Sequence, residues 1–179
     1  MISSPSGGFF DTFGISRKLL WYNWGMKHED LADRKRYSYW TPVTLRYGDT
    51  DSLGHINNAV FTTLFESGRA ALLFDREGAI AGAGKTFVIV NLNVNFTGEM
   101  HYPGTVEVGT AVDSFGNSSV KLVQGLFKDG ICCATSHSTI VLIDESTRRP
   151  ISIPQDIRKL IASAAGDEDL LSTKCGSKE

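Results

Sequence analysis

Residues 59–96, AVFTTLFESGRAALLFDREGAIAGAGKTFVIVNLNVNF, change their period once. In the first half Phe61, Leu64, Phe65, Gly68 and Leu72 recur every three or four residues, which draws an apolar stripe along a helix over 59–74. In the second half Val88, Val90, Leu92, Val94 and Phe96 alternate with Asn91, Asn93 and Asn95, the two-residue period of a strand with one buried face. The GAIAGAG between them suits neither pattern and reads as a connector.

Downstream, four period-2 stretches follow the helix, over residues 86–96, 104–113, 118–128 and 131–143. The turn sequences FGNSS and KDG join the last three as antiparallel neighbours. Upstream, WTPVTLRY alternates through Val43, Leu45 and Tyr47 and reads as a strand, with Pro42 at its start or on a sheet edge. Pro154 opens a short helix running to about Ala165. This order predicts an α+β fold: a five-stranded antiparallel sheet packed on one long helix. One helix leaves sheet edges and a second face open, so self-association is expected.

The 179 residues suit one domain, 37–165, with an N-terminal arm over 1–36 and a loose tail over 166–179. In the arm, Ser16 caps a short helix carrying Leu19, Leu20 and Trp24 and ending at Gly25. Asp11, Glu29, Asp30 and Asp33 count against a targeting peptide, and no apolar stretch there is long enough to span a bilayer. A net charge of −2 excludes a nucleic-acid backbone as the main partner. Cys132, Cys133 and Cys175 have neither the spacing of a disulfide framework nor that of a zinc site. A reducing, cytoplasmic setting with no metal and no cofactor is the expectation.

Two motifs are set aside. In GAIAGAGKT the first glycine of a phosphate-binding loop is replaced by Ala79, and the segment follows a helix instead of preceding one. HYPG, residues 101–104, resembles the His-Phe-Pro-Gly signature of acyl-carrier dehydratases, but it lies between two strands, where a Pro-Gly turn accounts for it. His101 is therefore not read as part of a site.

The chemistry gathers just before the helix. Asp49, Asp51, Gly54, His55, Asn57 and Asn58 crowd ten positions. An asparagine cap and an Asp-Ser-Leu-Gly turn explain part of this. A helix start also presents free N–H groups that stabilise an oxyanion, beside which a carboxylate can activate water or attack a carbonyl. Spacing alone leaves cap and catalysis open.

The combined motif D-x-D-x-x-G-H-x-N-N, followed by Phe61, Glu66 and Arg69, resembles the 4-hydroxybenzoyl-CoA thioesterase-like branch of the hotdog superfamily over residues 38–160. The resemblance implies a sheet wrapped round a central helix, a homodimer pairing two sheets edge to edge, further assembly to a tetramer, and acyl-CoA as substrate. It implies Asp51 as catalytic carboxylate, Asn58 as the residue whose backbone N–H meets the thioester oxygen, and His55 as a catalytic-loop group. Asp49 is left as a loop anchor. Asn57, Phe61 and Glu66 are the candidate substrate-binding positions. Glu66 is read first as a buried carboxylate paired with a nearby base, since it lies roughly 12 Å along the helix from Asn58. Lys85, Arg148 and Arg149 are the basic side chains available for the nucleotide of CoA. A non-catalytic acyl-thioester binder and a hydratase or dehydratase are the alternatives.

Overall fold

In the computed structural model, which describes residues 31–75 and 78–167, strand β1 (Tyr39–Thr44) precedes the long helix α1 (Asn58–Leu73). A small hairpin follows, β2 (Phe74–Asp75) with β3 (Gly78–Ala79). Then come β4 (Lys85–Phe96), β5 (Thr105–Phe115), β6 (Ser119–Lys128), β7 (Ile131–Asp144) and helix α2 (Gln155–Ala165). The helix expected over Ser16 to Gly25, and the tail after Asp167, lie outside the described residues.

The main sheet runs β1-β5-β6-β7-β4, every pair antiparallel, so the five strands and single long helix expected from the sequence are present. Local chemistry explains the connections. Asp129 (φ 52°) and Gly130 (φ 80°) both sit in the left-handed region, as a tight turn matching the twist of β6 and β7 requires. Pro42, which cannot donate to a ladder, lies on the edge strand β1 opposite Glu107. Pro154 is the cap immediately before α2, one position earlier than the opening residue expected of it.

The helix stripe and the sheet bury each other. Phe61, Leu64 and Phe65 pack on Val106, Val108, Leu126 and Ala134, while Leu72 and Leu73 meet Leu122, Ile140 and Leu142 together with Ile157 and Ile161 of α2. Each buried side chain of this size contributes about 1.5–3 kcal/mol. Between the two groups Gly68 lets the helix approach β5 so closely that a Cβ there would lie 2.5 Å from Val108 Cγ1. A polar bridge crosses the layer at the same level. Arg69 Nη1 donates to Gln124 Oε1 (3.0 Å), and Gln124 Nε2 donates to the Phe65 carbonyl and to Thr110 Oγ1 (3.0 Å each).

On the other sheet face Leu31 and Tyr37 cover Ala111, Val123 and Phe127. Tyr37 donates its hydroxyl to the Leu31 carbonyl (2.7 Å). Arg34 lies 4.2 Å above the Trp40 ring and forks onto Glu107 at 2.8 and 3.1 Å. The described end of the arm therefore packs on the domain.

One alternation differs from expectation. Ile89 faces Ile140 and Asn91 faces Thr139, so Val90 is an extra residue in the β4 ladder. A bulge of this kind shifts the two-residue period by one. Phe87 and Ile89 share the helix side with Leu142 and Ile140, whereas after the bulge Leu92, Val94 and Phe96 do so, opposite Ser138, Ser136 and Ala134. Val88, opposite Val141, thus leaves the single apolar face that the sequence pattern assigns it, and Val90 is the bulged residue with no ladder partner on β7.

Candidate active site

The segment between β1 and α1 is folded tightly by its own polar groups. Asp49 is only 4% exposed. Its carboxylate accepts from the Arg46 backbone N–H (2.8 Å) and from Arg46 Nη2 (2.8 Å), and its carbonyl accepts from the N–H of Asn57 (2.9 Å). The bonds from Arg46 hold this carboxyl below the usual carboxylate range. Asp49 is the loop anchor anticipated for it.

Inside that frame a second turn closes on Asp51. Its backbone N–H donates to the His55 carbonyl (2.8 Å), while Oδ1 accepts from the N–H groups of Leu53 (2.8 Å) and His55 (3.2 Å). Gly54 allows the turn through its φ of 81°. Oδ2 of Asp51 has no hydrogen-bond partner among the described residues. Thr50 pairs with Ile56 in an antiparallel bridge, which brings the chain to the helix start.

Asn57 is the helix cap, and Asn58 is the first helical residue. The Asn57 side chain accepts from the Ala59 N–H (2.9 Å) and its carbonyl accepts from Val60 (2.8 Å). The Asn58 N–H is left without an acceptor among the described residues. The helix start therefore offers one free donor, and the turn seven residues earlier in the chain offers one free carboxylate oxygen.

Phe61 is 2% exposed and packs in the core, its ring 5.1 Å from that of Phe96. Glu66 is exposed, which corrects the buried position expected of it. It lies one residue, or about 100°, past Phe65 and so off the stripe that faces the sheet. It lines a groove of about 390 Å³ between α1 and β4, with Thr62, Arg69, Ile89, Val90 and Leu92. The base beside it is Arg69, whose pKa burial lowers and the Glu66 charge raises. Lys85 lies opposite Asp144 in the β4–β7 ladder, and the Arg149 carbonyl accepts from the Asp144 N–H, so these basic residues sit at the opposite end of β4 from the His55 loop. Within one chain they do not rim the site.

Two residues that the sequence reading passed over come to the site. His55 forms an antiparallel bridge with His101, and Ile56 N–H donates to the Met100 carbonyl (2.8 Å). The imidazoles of His55 and His101 lie 4.9 Å apart, edge to face. Glu99 Oε2 lies 3.4 Å from His55 Nε2 and 3.6 Å from His101 Nε2. Both segments are irregular, so no periodicity in the sequence signals that they meet. No helix among the described residues is long and apolar enough to cross a membrane.

Residues 45–161 match the family model described as the thioesterase-like superfamily. Among curated proteins, none matches the chain significantly. Among solved structures, the PA5185 protein of Pseudomonas aeruginosa is 27% identical with a TM-score of 0.65, covering 73% of this chain and 94% of its own. A predicted thioesterase from Bacillus stearothermophilus is 28% identical with a TM-score of 0.63, covering 71% and 96%. A thioesterase from Thermus thermophilus, solved with coenzyme A and zinc, is 26% identical with a TM-score of 0.60, covering 70% and 98%.

Proposed function

The chain belongs to the thioesterase-like superfamily, and from that premise we propose that it hydrolyses an acyl-CoA thioester to the free acid and CoA. Two observations support the proposal: in the segment that runs into the helix, Asp51 Oδ2 and the Asn58 N–H are both left without a hydrogen-bond partner among the described residues. A Thermus relative solved with coenzyme A supports CoA as the carrier.

In the proposed reaction a water oxygen attacks the thioester carbonyl while Asp51 takes its proton. The charge that develops on the carbonyl oxygen meets the Asn58 N–H, a donor fixed in place before reaction. Collapse of the tetrahedral species breaks the C–S bond, and the CoA sulfur receives the proton held by Asp51. The two turn bonds to Oδ1 fix the carboxylate so that Oδ2 points to one place, and little reorganisation is needed at the moment of attack. Asn57 contributes by capping the helix, and His55 by holding Asp51 through its N–H. Phe61, one turn into the helix, packs its ring on Phe96 and anchors the helix start to β4.

The proposal includes a homodimer. β4 is an open edge of 12 residues, with Ile89, Val90 and Phe96 exposed and Lys85 as its one charged residue. An edge this long and this apolar is ordinarily paired. Antiparallel pairing with a second copy buries it and brings the partner's chain over the groove that Glu66 lines. Cys132 and Cys133, both free thiols, fit a reducing compartment such as the cytoplasm.

A second reading, hydration or dehydration of the acyl chain, is favoured by the closeness of His55 to Glu99. A panel of short, long and aromatic acyl-CoAs followed by proton NMR separates the readings. Free CoA and free acid are expected. Hydroxyacyl-CoA would establish the second reading, and an unchanged substrate across the panel would reduce the protein to a binder.

A further inference from the structure

We infer that His55, Glu99 and His101 form a binding site for one divalent transition-metal cation of the zinc class. The inference rests on the donor atoms themselves and is independent of the hydrolase reading.

A protonated imidazole bonded to a carboxylate would sit about 2.7–2.9 Å away. Here Glu99 Oε2 is 3.4 Å from one Nε2 and 3.6 Å from the other, too far for such a bond to either ring. Two ligands on a tetrahedral ion with bonds of 2.0–2.1 Å are separated by about 3.3 Å. The three atoms all lie within 4.8 Å of one another, so the pair of nitrogens needs at most a modest rotation to close on an ion.

His101 Nδ1 lies 3.2 Å from the Gly54 carbonyl, which accepts the proton carried there. That fixes the tautomer in which Nε2 keeps its lone pair on the side of Glu99, the support that ligating histidines ordinarily have. The antiparallel bridge between His55 and His101 holds both ligands through the main chain. Their half-open side chains leave room for water at a fourth position.

Two imidazoles and one carboxylate suit zinc, cobalt or nickel, whereas calcium and magnesium favour all-oxygen sets. The sequence conceals the site because its ligands come from two distant segments. An ion there would clamp the turn carrying Asp51 to the segment before β5, since the His55 N–H is one of the two bonds on Asp51 Oδ1.

The test uses the full chain, cleared of metal with a chelator. It is titrated with Zn²⁺ by calorimetry and with Co²⁺ by visible absorption, without substrate. One ion per chain is expected, with a cobalt spectrum lacking a thiolate charge-transfer band. Affinity should fall at least about 10-fold in both Glu99→Gln and His101→Ala. At equal Zn²⁺ concentration the Tm of the wild type should rise more than that of either variant. Glu99→Gln keeps its size, so it carries the comparison if His101→Ala folds poorly. Equal affinity in wild type and Glu99→Gln, no binding up to millimolar Zn²⁺, or a thiolate band would each overturn the inference. Loss of thioester hydrolysis with intact Zn²⁺ binding would leave it standing.

Discussion

Gly68→Ala should destabilise the protein even though glycine to alanine inside a helix ordinarily stabilises by about 0.5–1 kcal/mol. The new Cβ would stand 2.5 Å from Val108 Cγ1, 2.9 Å from Gln124 Nε2 and 3.2 Å from Thr110 Oγ1. Val108 is fully buried on β5, held between β1 and β6, and has no space to turn into. Forcing a methyl into such a contact costs about 1–3 kcal/mol. Displacing the Gln124 amide also weakens its bonds to Phe65 and Thr110, at about 1 kcal/mol for a typical bond. Set against the helix gain, the net loss is about 2 kcal/mol, which lowers Tm by about 4–8 °C for a domain of this size. Thermal and urea unfolding followed by circular dichroism measure it. Val108→Ala in the same chain should relieve the clash, with a coupling above about 0.5 kcal/mol in the double variant. A Gly68→Ala protein as stable as the wild type would refute the close helix–sheet contact.

Two further outcomes follow from the loop and the sheet edge. The Asp49 carboxyl is held below its unfolded value by Arg46, so its stabilising contribution is present above about pH 4 and is lost as pH falls through the folded value. The stability gap between wild type and Asp49→Asn, measured in urea, should therefore narrow from pH 6 to pH 3, and a constant gap would contradict the pairing. Val90→Lys on the open edge should convert a sedimenting dimer to a monomer with an unchanged circular dichroism spectrum. A wild type that sediments as a monomer at micromolar concentration would count against edge pairing.

Much of the fold was legible because period reports burial. The stripe through Phe61, Phe65 and Leu72 marks the face of α1 that meets the sheet, and Asp129-Gly130 marks a hairpin by its backbone freedom. The extra residue at Val90 was not legible, since a bulge changes which side chains face inward without breaking the apolar alternation. Arg69 lies one turn beyond Phe65, within the stripe, yet its burial depends on Gln124, a residue on β6 that no local pattern links to it. At the site, the cap by Asn57 and the turn at Asp51 follow from local chemistry. The approach of Glu99 and His101 to His55 depends on pairing between irregular segments, for which the sequence carries no periodic signal.

In the proposed reaction the free oxygen of Asp51 and the free N–H of Asn58 act together on a thioester carbonyl. Asp51→Asn keeps the side-chain oxygen that the turn requires and removes the base, so the fold should survive while chemistry is lost. Thiol release from the best acyl-CoA of the panel, measured as kcat at saturating substrate, should drop at least about 100-fold in the variant. A variant with wild-type kcat would contradict the assignment of Asp51.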